Sequence, residues 1–154
     1  MIETPEIAET TRKLTAIVPI RTPREKMGEV MGPGVEELFG TLAAQRIEPV
    51  GPWFTHHLEI TPEEFNFEIC IETATEVTPA GRVKPGEWPA MKVVRTVYHG
   101  PYEGLGEAWG EFDPATAALG LKTATDLWEV YVVNPATTSD PAEFRTQLNR
   151  QVLE

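Results

Sequence analysis

Two stretches of this chain repeat one order of elements, and that repetition narrows the possible folds more than any single motif. Leu14 to Ile20 reads as a strand. Thr22-Pro23-Arg24-Glu25 then has the composition of a helix start, with Thr at the cap, Pro at the first helical position and Glu three residues after the cap. Met27, Val30 and Met31 recur at helical spacing, as do Val35, Leu38, Phe39 and Leu42. The spacing predicts two helical pieces broken at Gly32-Pro33-Gly34. Two strands follow, roughly Trp53–Ile60 and Phe65–Thr75, joined at Thr61-Pro62.

Thr78 to Pro89 is rich in Pro and Gly and reads as a loop, after which the order restarts. Met91 to Tyr98 is a strand. Gly100-Pro101 opens a helix with Tyr102, Leu105, Trp109 and Phe112 on one stripe, and Asp113-Pro114 caps a short second piece that stops at Gly120. Leu127 to Val133 is a strand, and Phe144 to Val152 a final one. Each half sets a Pro at the helix start and a Trp near the start of the next strand: Pro23 and Trp53, then Pro101 and Trp128. The expectation is an α+β fold, a duplicated β-α-β-β unit with antiparallel sheets and a central ligand cleft lined from both halves. Residues 1–12 are polar and acidic and read as a flexible lead-in. One domain then spans 13–154, with pseudo-repeats at about 13–77 and 90–154.

The bulk numbers remove several functions. Net charge is −11, with 13 Lys and Arg against 24 Asp and Glu, which argues against direct nucleic-acid binding and favours cationic over anionic small molecules. No apolar run approaches a membrane-spanning length, and the N-terminus lacks a basic start followed by an apolar block, so no membrane association and a cytoplasmic location are expected. A single cysteine, Cys70, makes neither an internal disulfide nor a cysteine metal cluster, and its apolar surroundings suit a small core residue.

One residue stands out on chemical grounds. In the strand Leu127 to Val133, Leu127, Glu129, Tyr131 and Val133 share one face while Trp128, Val130 and Val132 share the other. A carboxylate flanked by Leu, Tyr and Val is costly to bury without a partner or a task. Glu129 is therefore a counter-ion for a lipophilic cation, a base that activates water, or a strand residue paired with an arginine such as Arg95.

Other candidates are weaker. Glu68 lies on the polar side of its strand with Asn66, Cys70 and Glu72, where it faces either a cleft or water. Trp53, Tyr98 and Tyr102 lie near element ends and are wall candidates. Trp109 shares a helical stripe with Phe112, for which core is the first reading, and it is also counted among the ligand-binding aromatics. Trp88, in the Pro-rich segment, is either a lid or an exposed loop residue. His56 and His57 are adjacent in a strand and point to opposite faces, which is wrong for one metal, and His99 is isolated. No metal and no cofactor is expected, and no Gly-rich phosphate loop or nucleophile elbow is present.

The order of elements, His99-Gly100-Pro101-Tyr102 at a helix start, and Trp128-Glu129-Val130-Tyr131 followed by Asn134-Pro135 together resemble the GyrI-like small-molecule-binding domain. The resemblance covers about Leu14 to Val152. It implies a duplicated β-α-β-β domain with an aromatic-lined cavity that contains a glutamate, here Glu129, with a tyrosine two residues on, here Tyr131. Such domains serve as the effector-binding part of multidrug-sensing regulators and also occur alone. Some stand-alone members hydrolyse cyclopropane-containing, DNA-alkylating compounds, and one inhibits DNA gyrase. The resemblance thus implies a stand-alone binder of bulky apolar or cationic molecules. The alternatives are a hydrolase with Glu129 as base and Tyr131 as the orienting or protonating group, or a gyrase inhibitor-like protein. No protein partner is identified.

Overall fold

The computed structural model describes residues 2–153 and divides into two units, Thr11–Ala90 and Met91–Glu154 together with Met1–Thr10. In chain order the elements are β1 (Glu6–Glu9), β2 (Lys13–Pro23), α1 (Met27–Ala44), β3 (Pro49–Ile60), β4 (Glu64–Thr73), β5 (Lys84–Trp88), β6 (Lys92–His99), α2 (Leu105–Ala118), β7 (Lys122–Thr123), β8 (Leu127–Val133) and β9 (Arg145–Leu153). The strands are antiparallel and the fold is α+β.

In the unit Thr11–Ala90 the sheet runs β3-β4-β2-β5. Register sets Val18 opposite Ile69 and Ile20 opposite Phe67, so these residues share a face, and Leu38 and Leu42 of α1 pack on it. Phe67 and Ile69 are wholly buried, each such side chain contributing about 1.5–3 kcal/mol. Helix α1 buries Gly34, Leu38 and Leu42, four residues apart on one stripe.

The unit that contains residues 91–153 repeats this plan, with sheet order β1-β6-β9-β8 and short β7 against the end of β9. Helix α2 buries Ala108, Phe112 and Thr116 at the same spacing, over Val94, Tyr98, Leu148 and Val152. Both helices end alike. Arg46 (φ 57°) and Gly120 (φ 76°) take the left-handed conformation just past the C-cap. Ile47 and Leu121 then donate their amides back to Leu42 and Thr116 and add their side chains to the adjoining core.

Several expectations change. The helices are not broken: Pro33 lies inside α1 and Pro114 inside α2. Proline removes one backbone donor and crowds the preceding turn, yet in each helix the buried stripe lies on both sides of the proline or directly beside it, so packing on the sheet holds the axis. Thr22 and Pro23 do not cap a helix. They end β2, opposite Phe65 and Glu64, and a 3-10 turn Arg24–Lys26 precedes α1. Gly100-Pro101 likewise leads first into a 3-10 turn, Tyr102–Gly104.

The Pro-rich segment contains β5, because Pro85 and Gly86 sit on an edge strand, where β2 supplies the partner groups on one side only. The acidic lead-in contains β1, whose Glu6 to Glu9 pair with Arg95 to Lys92. Its backbone completes the open edge of β6, so a polar sequence is ordered by pairing and not by burial. No helix among the described residues is long and apolar enough to cross a membrane.

Candidate functional site

Glu129 lies on β8 opposite Leu148 of β9, and Leu148 in turn faces Thr96 of β6. All three therefore point to the face that α2 covers, and Glu129 is 8% exposed. Arg95 pairs with Asn149, which pairs with Trp128, so Arg95 projects from the opposite face of the sheet. Arg95, the arginine named from sequence, is therefore not the partner of Glu129. Instead Trp109 of α2 donates its indole Nε1–H to Glu129 Oε2 at 2.7 Å, and the Tyr131 hydroxyl donates to Oε1 at 2.8 Å. An indole nitrogen can only donate, so Oε2 is the acceptor in this bond.

Aromatic rings extend the cluster. Tyr102, in the 3-10 turn before α2, meets Tyr131 edge to face with centroids 5.6 Å apart and stacks on Phe144 at 4.9 Å. The Tyr102 hydroxyl is shielded from solvent and has no hydrogen-bond partner among the described residues, and the same holds for Thr146 Oγ1, opposite Tyr131 on β9. Burial, with the Glu129 charge adding to it, pushes the Tyr102 phenol up to about 12. It is therefore a hydrogen-bond donor at any physiological pH.

Local structure aims these groups. The β8–β9 register shifts between Tyr131 and Val133, a bulge of the kind that turns a side chain relative to its strand. Asn134 fixes the exit: its Nδ2 donates to Tyr131 O at 2.8 Å and its Oδ1 accepts from Ala136 N at 2.9 Å. Phe144 and Asn134 were not picked out as site residues from sequence. Asn134-Pro135 was visible as a motif, whereas Phe144 carries no local signal.

The remaining sequence candidates divide. Tyr98 is buried and donates to Pro101 O at 2.7 Å, which braces the turn that carries Tyr102. Trp53, Glu68 and Trp88 belong to the unit Thr11–Ala90. Trp53 packs edge to face on Phe39 of α1, with ring centroids 6.3 Å apart. Glu68 sits on the face away from α1, its carboxylate 3.7 Å from His56 Nδ1. Trp88 is neither a loop residue nor exposed: it ends β5, is 5% exposed and packs on Phe54, with ring centroids 5.1 Å apart. No group of three or more His, Cys, Asp or Glu among the described residues could hold a metal ion.

The GyrI-like small molecule binding domain profile matches residues 9–149. The chain belongs to the GyrI-like family. Among solved structures, the EcmrR C-terminal domain superposes with a TM-score of 0.83 at 17% identity, with 97% of each chain covered. EcmrR in its DNA complex gives a TM-score of 0.84 at 16% identity; this chain is covered over 99% of its length and spans only 58% of that one. SAV2435 bound to tetraphenylphosphonium gives 0.70 at 8% identity, covering 97% of this chain and 93% of that one. A hydrolase encoded by lin2189 from Listeria innocua gives 0.72 at 14% identity, covering 97% and 92%. At identities this low the likeness shows the shared fold alone. A comparison with curated protein sequences found no match.

Proposed function

We propose that this GyrI-like domain binds bulky apolar or cationic small molecules and takes them at the Glu129 cluster. The carrying observation is a buried carboxylate held by two aromatic donors, Trp109 and Tyr131, with the Tyr102 ring alongside. A lipophilic cation gains from the carboxylate charge and from the electron-rich ring faces, while its apolar bulk gains from leaving water. The tetraphenylphosphonium held by SAV2435, on the same fold, is a ligand of this chemistry.

A second reading has its own support. Tyr131 and Glu129 form a direct hydroxyl–carboxylate pair at 2.8 Å, and Tyr102 keeps an unused donor beside them. In water addition to a cyclopropane, Glu129 takes the proton of a water whose oxygen bonds the ring carbon. The ring carbon–carbon bond breaks, its electron pair passes into the departing conjugated system, and a tyrosine hydroxyl supplies the proton there. The lin2189 hydrolase is similar in fold.

Calorimetry with tetraphenylphosphonium, and with a neutral triaryl compound of the same bulk, tests the first reading. Glu129→Gln should lower affinity for the cation by about tenfold, or ~1.4 kcal/mol, and leave the neutral compound within about twofold. Equal loss for both compounds, or none for either, would reject Glu129 as the counter-ion. Mass analysis after incubation with a cyclopropane-containing, DNA-alkylating indole tests the second. A gain of one water that needs Glu129 makes the protein an enzyme, and an unchanged compound that is nonetheless bound makes it a binder.

A further inference from the structure

Arg150 lies on β9 in the alternation Thr146, Leu148, Arg150, Val152, the same face as the apolar core under α2. Its side chain is 14% exposed, and its donors are heavily committed. Nε and Nη2 hold Asp113 Oδ1 and Oδ2, each at 3.0 Å, in a two-pronged pair. Nη1 reaches the carbonyls of Ala124, Thr125 and Asp126 at 3.4, 2.8 and 3.4 Å. The guanidinium also lies over the Trp109 ring, 5.2 Å from its centroid.

These contacts run to the helix and the strand that meet at the Glu129 carboxylate. Asp113 is four residues after Trp109, so the two share one face of α2. The carbonyls of 124–126 belong to the turn that leads directly into β8, the strand that carries Glu129. Arg150 thus ties together the helix that supplies the indole donor and the strand that supplies its acceptor. A cation over the indole face also draws electron density from the ring and strengthens the N–H as a donor.

We infer that Arg150 is a positioning residue for ligand recognition: it sets the Trp109 indole, which in turn orients the Glu129 carboxylate. The inference rests on the proposed role of Glu129 as counter-ion, and it also makes a claim about the unliganded protein that does not depend on that role. It carries a distinctive sign. If Arg150 acted only through its charge, removing it would strengthen binding of a cation. A positioning role requires the opposite.

Two measurements decide it. In an amide correlation spectrum of the unliganded protein, the Trp109 indole N–H is assigned as the peak lost in Trp109→Phe. Arg150→Met and Glu129→Gln should both shift that peak and speed its exchange with solvent. Arg150→Lys, which keeps the charge and loses the fork, should not restore it. Asp113→Asn, at a half-exposed side chain, should move the peak in the same direction by less, and it serves if Arg150→Met does not fold. An unmoved peak in Arg150→Met, or in Asp113→Asn if that is the variant available, overturns the inference.

The second measurement is a double-mutant cycle on tetraphenylphosphonium affinity. Arg150→Met should cost about tenfold with Trp109 present and under about twofold in Trp109→Phe. An unchanged or improved affinity in the first background overturns the inference. Failure of the wild-type protein to bind the probe counts against the Glu129 counter-ion, and the indole peak then decides the role of Arg150.

Discussion

Glu129 and Tyr102 show how two titratable groups on one face can be put to different uses. Glu129 is ringed by donors that match a carboxylate, whereas Tyr102 is held as a phenol by burial and by the charge next to it. The alkaline behaviour of the protein should record this. Tyrosine in an unfolded chain titrates near pH ~10, and Tyr102 in the folded protein near about 12. The folded state therefore holds this proton more tightly, and the corresponding stability is intact below about pH 10 and lost as pH rises through about 12. Tyr102→Phe should flatten the fall in unfolding midpoint over that interval. The tyrosinate absorbance missing from the variant should titrate well above pH ~10; a difference titrating at about 10 would count against this account. Sequence alternation was enough to single out Glu129, since period-two spacing places Leu127 and Tyr131 on its face. Its second donor, Trp109 on α2, was not legible as a partner. Arg95 is near enough in sequence pattern, but register puts it on the other face.

At the scale of elements, the His-Gly-Pro-Tyr stretch has a steric explanation. The Tyr98 ring sits directly under the turn that follows β6, its hydroxyl bonded to Pro101 O. Gly100 has φ 139°, in the range that disfavours other residues. A Cβ on Gly104 would collide with the Tyr98 hydroxyl. Gly104→Ala should therefore destabilise the protein by about 1–3 kcal/mol, the usual cost of overpacking, measured by denaturant unfolding. Tyr102 should move with the turn, so cation affinity should fall as well. A variant as stable as wild type would show that the turn and Tyr98 are not in contact in solution. The helices teach the reverse lesson about glycine and proline. Local rules break a helix at Gly32-Pro33-Gly34, but Gly34 is the residue that lets α1 approach the sheet, since a Cβ there would lie 2.5 Å from Ile69 Cδ1. What reads locally as a breaker is a close-packing contact.

At the scale of the whole molecule, net charge and duplication are the two facts that composition and order alone supply. A charge of −11 concentrates cations near the protein. Affinity for tetraphenylphosphonium should therefore fall several-fold as screening shortens from about 10 Å at 0.1 M salt to about 3 Å at 1 M. Affinity for a neutral triaryl compound should not fall. An equal salt response for both would assign the effect to solvation of the aromatic bulk.

The α+β class, the repeated β-α-β-β order and the face on which Glu129 lies are legible in the chain alone, because all three follow from periodicity and from the local chemistry of turns. The three-dimensional fold adds that both helices run through their prolines, that the acidic N-terminal segment and the Pro-rich segment each supply an edge strand, that Trp109 and Tyr131 meet on one carboxylate with Tyr102 beside Tyr131, and that Arg150 lies over the Trp109 ring. Those outcomes depend on which strands lie side by side and in what register. The alternation along each strand says which of its faces is buried, but not which strand dozens of residues away will lie beside it.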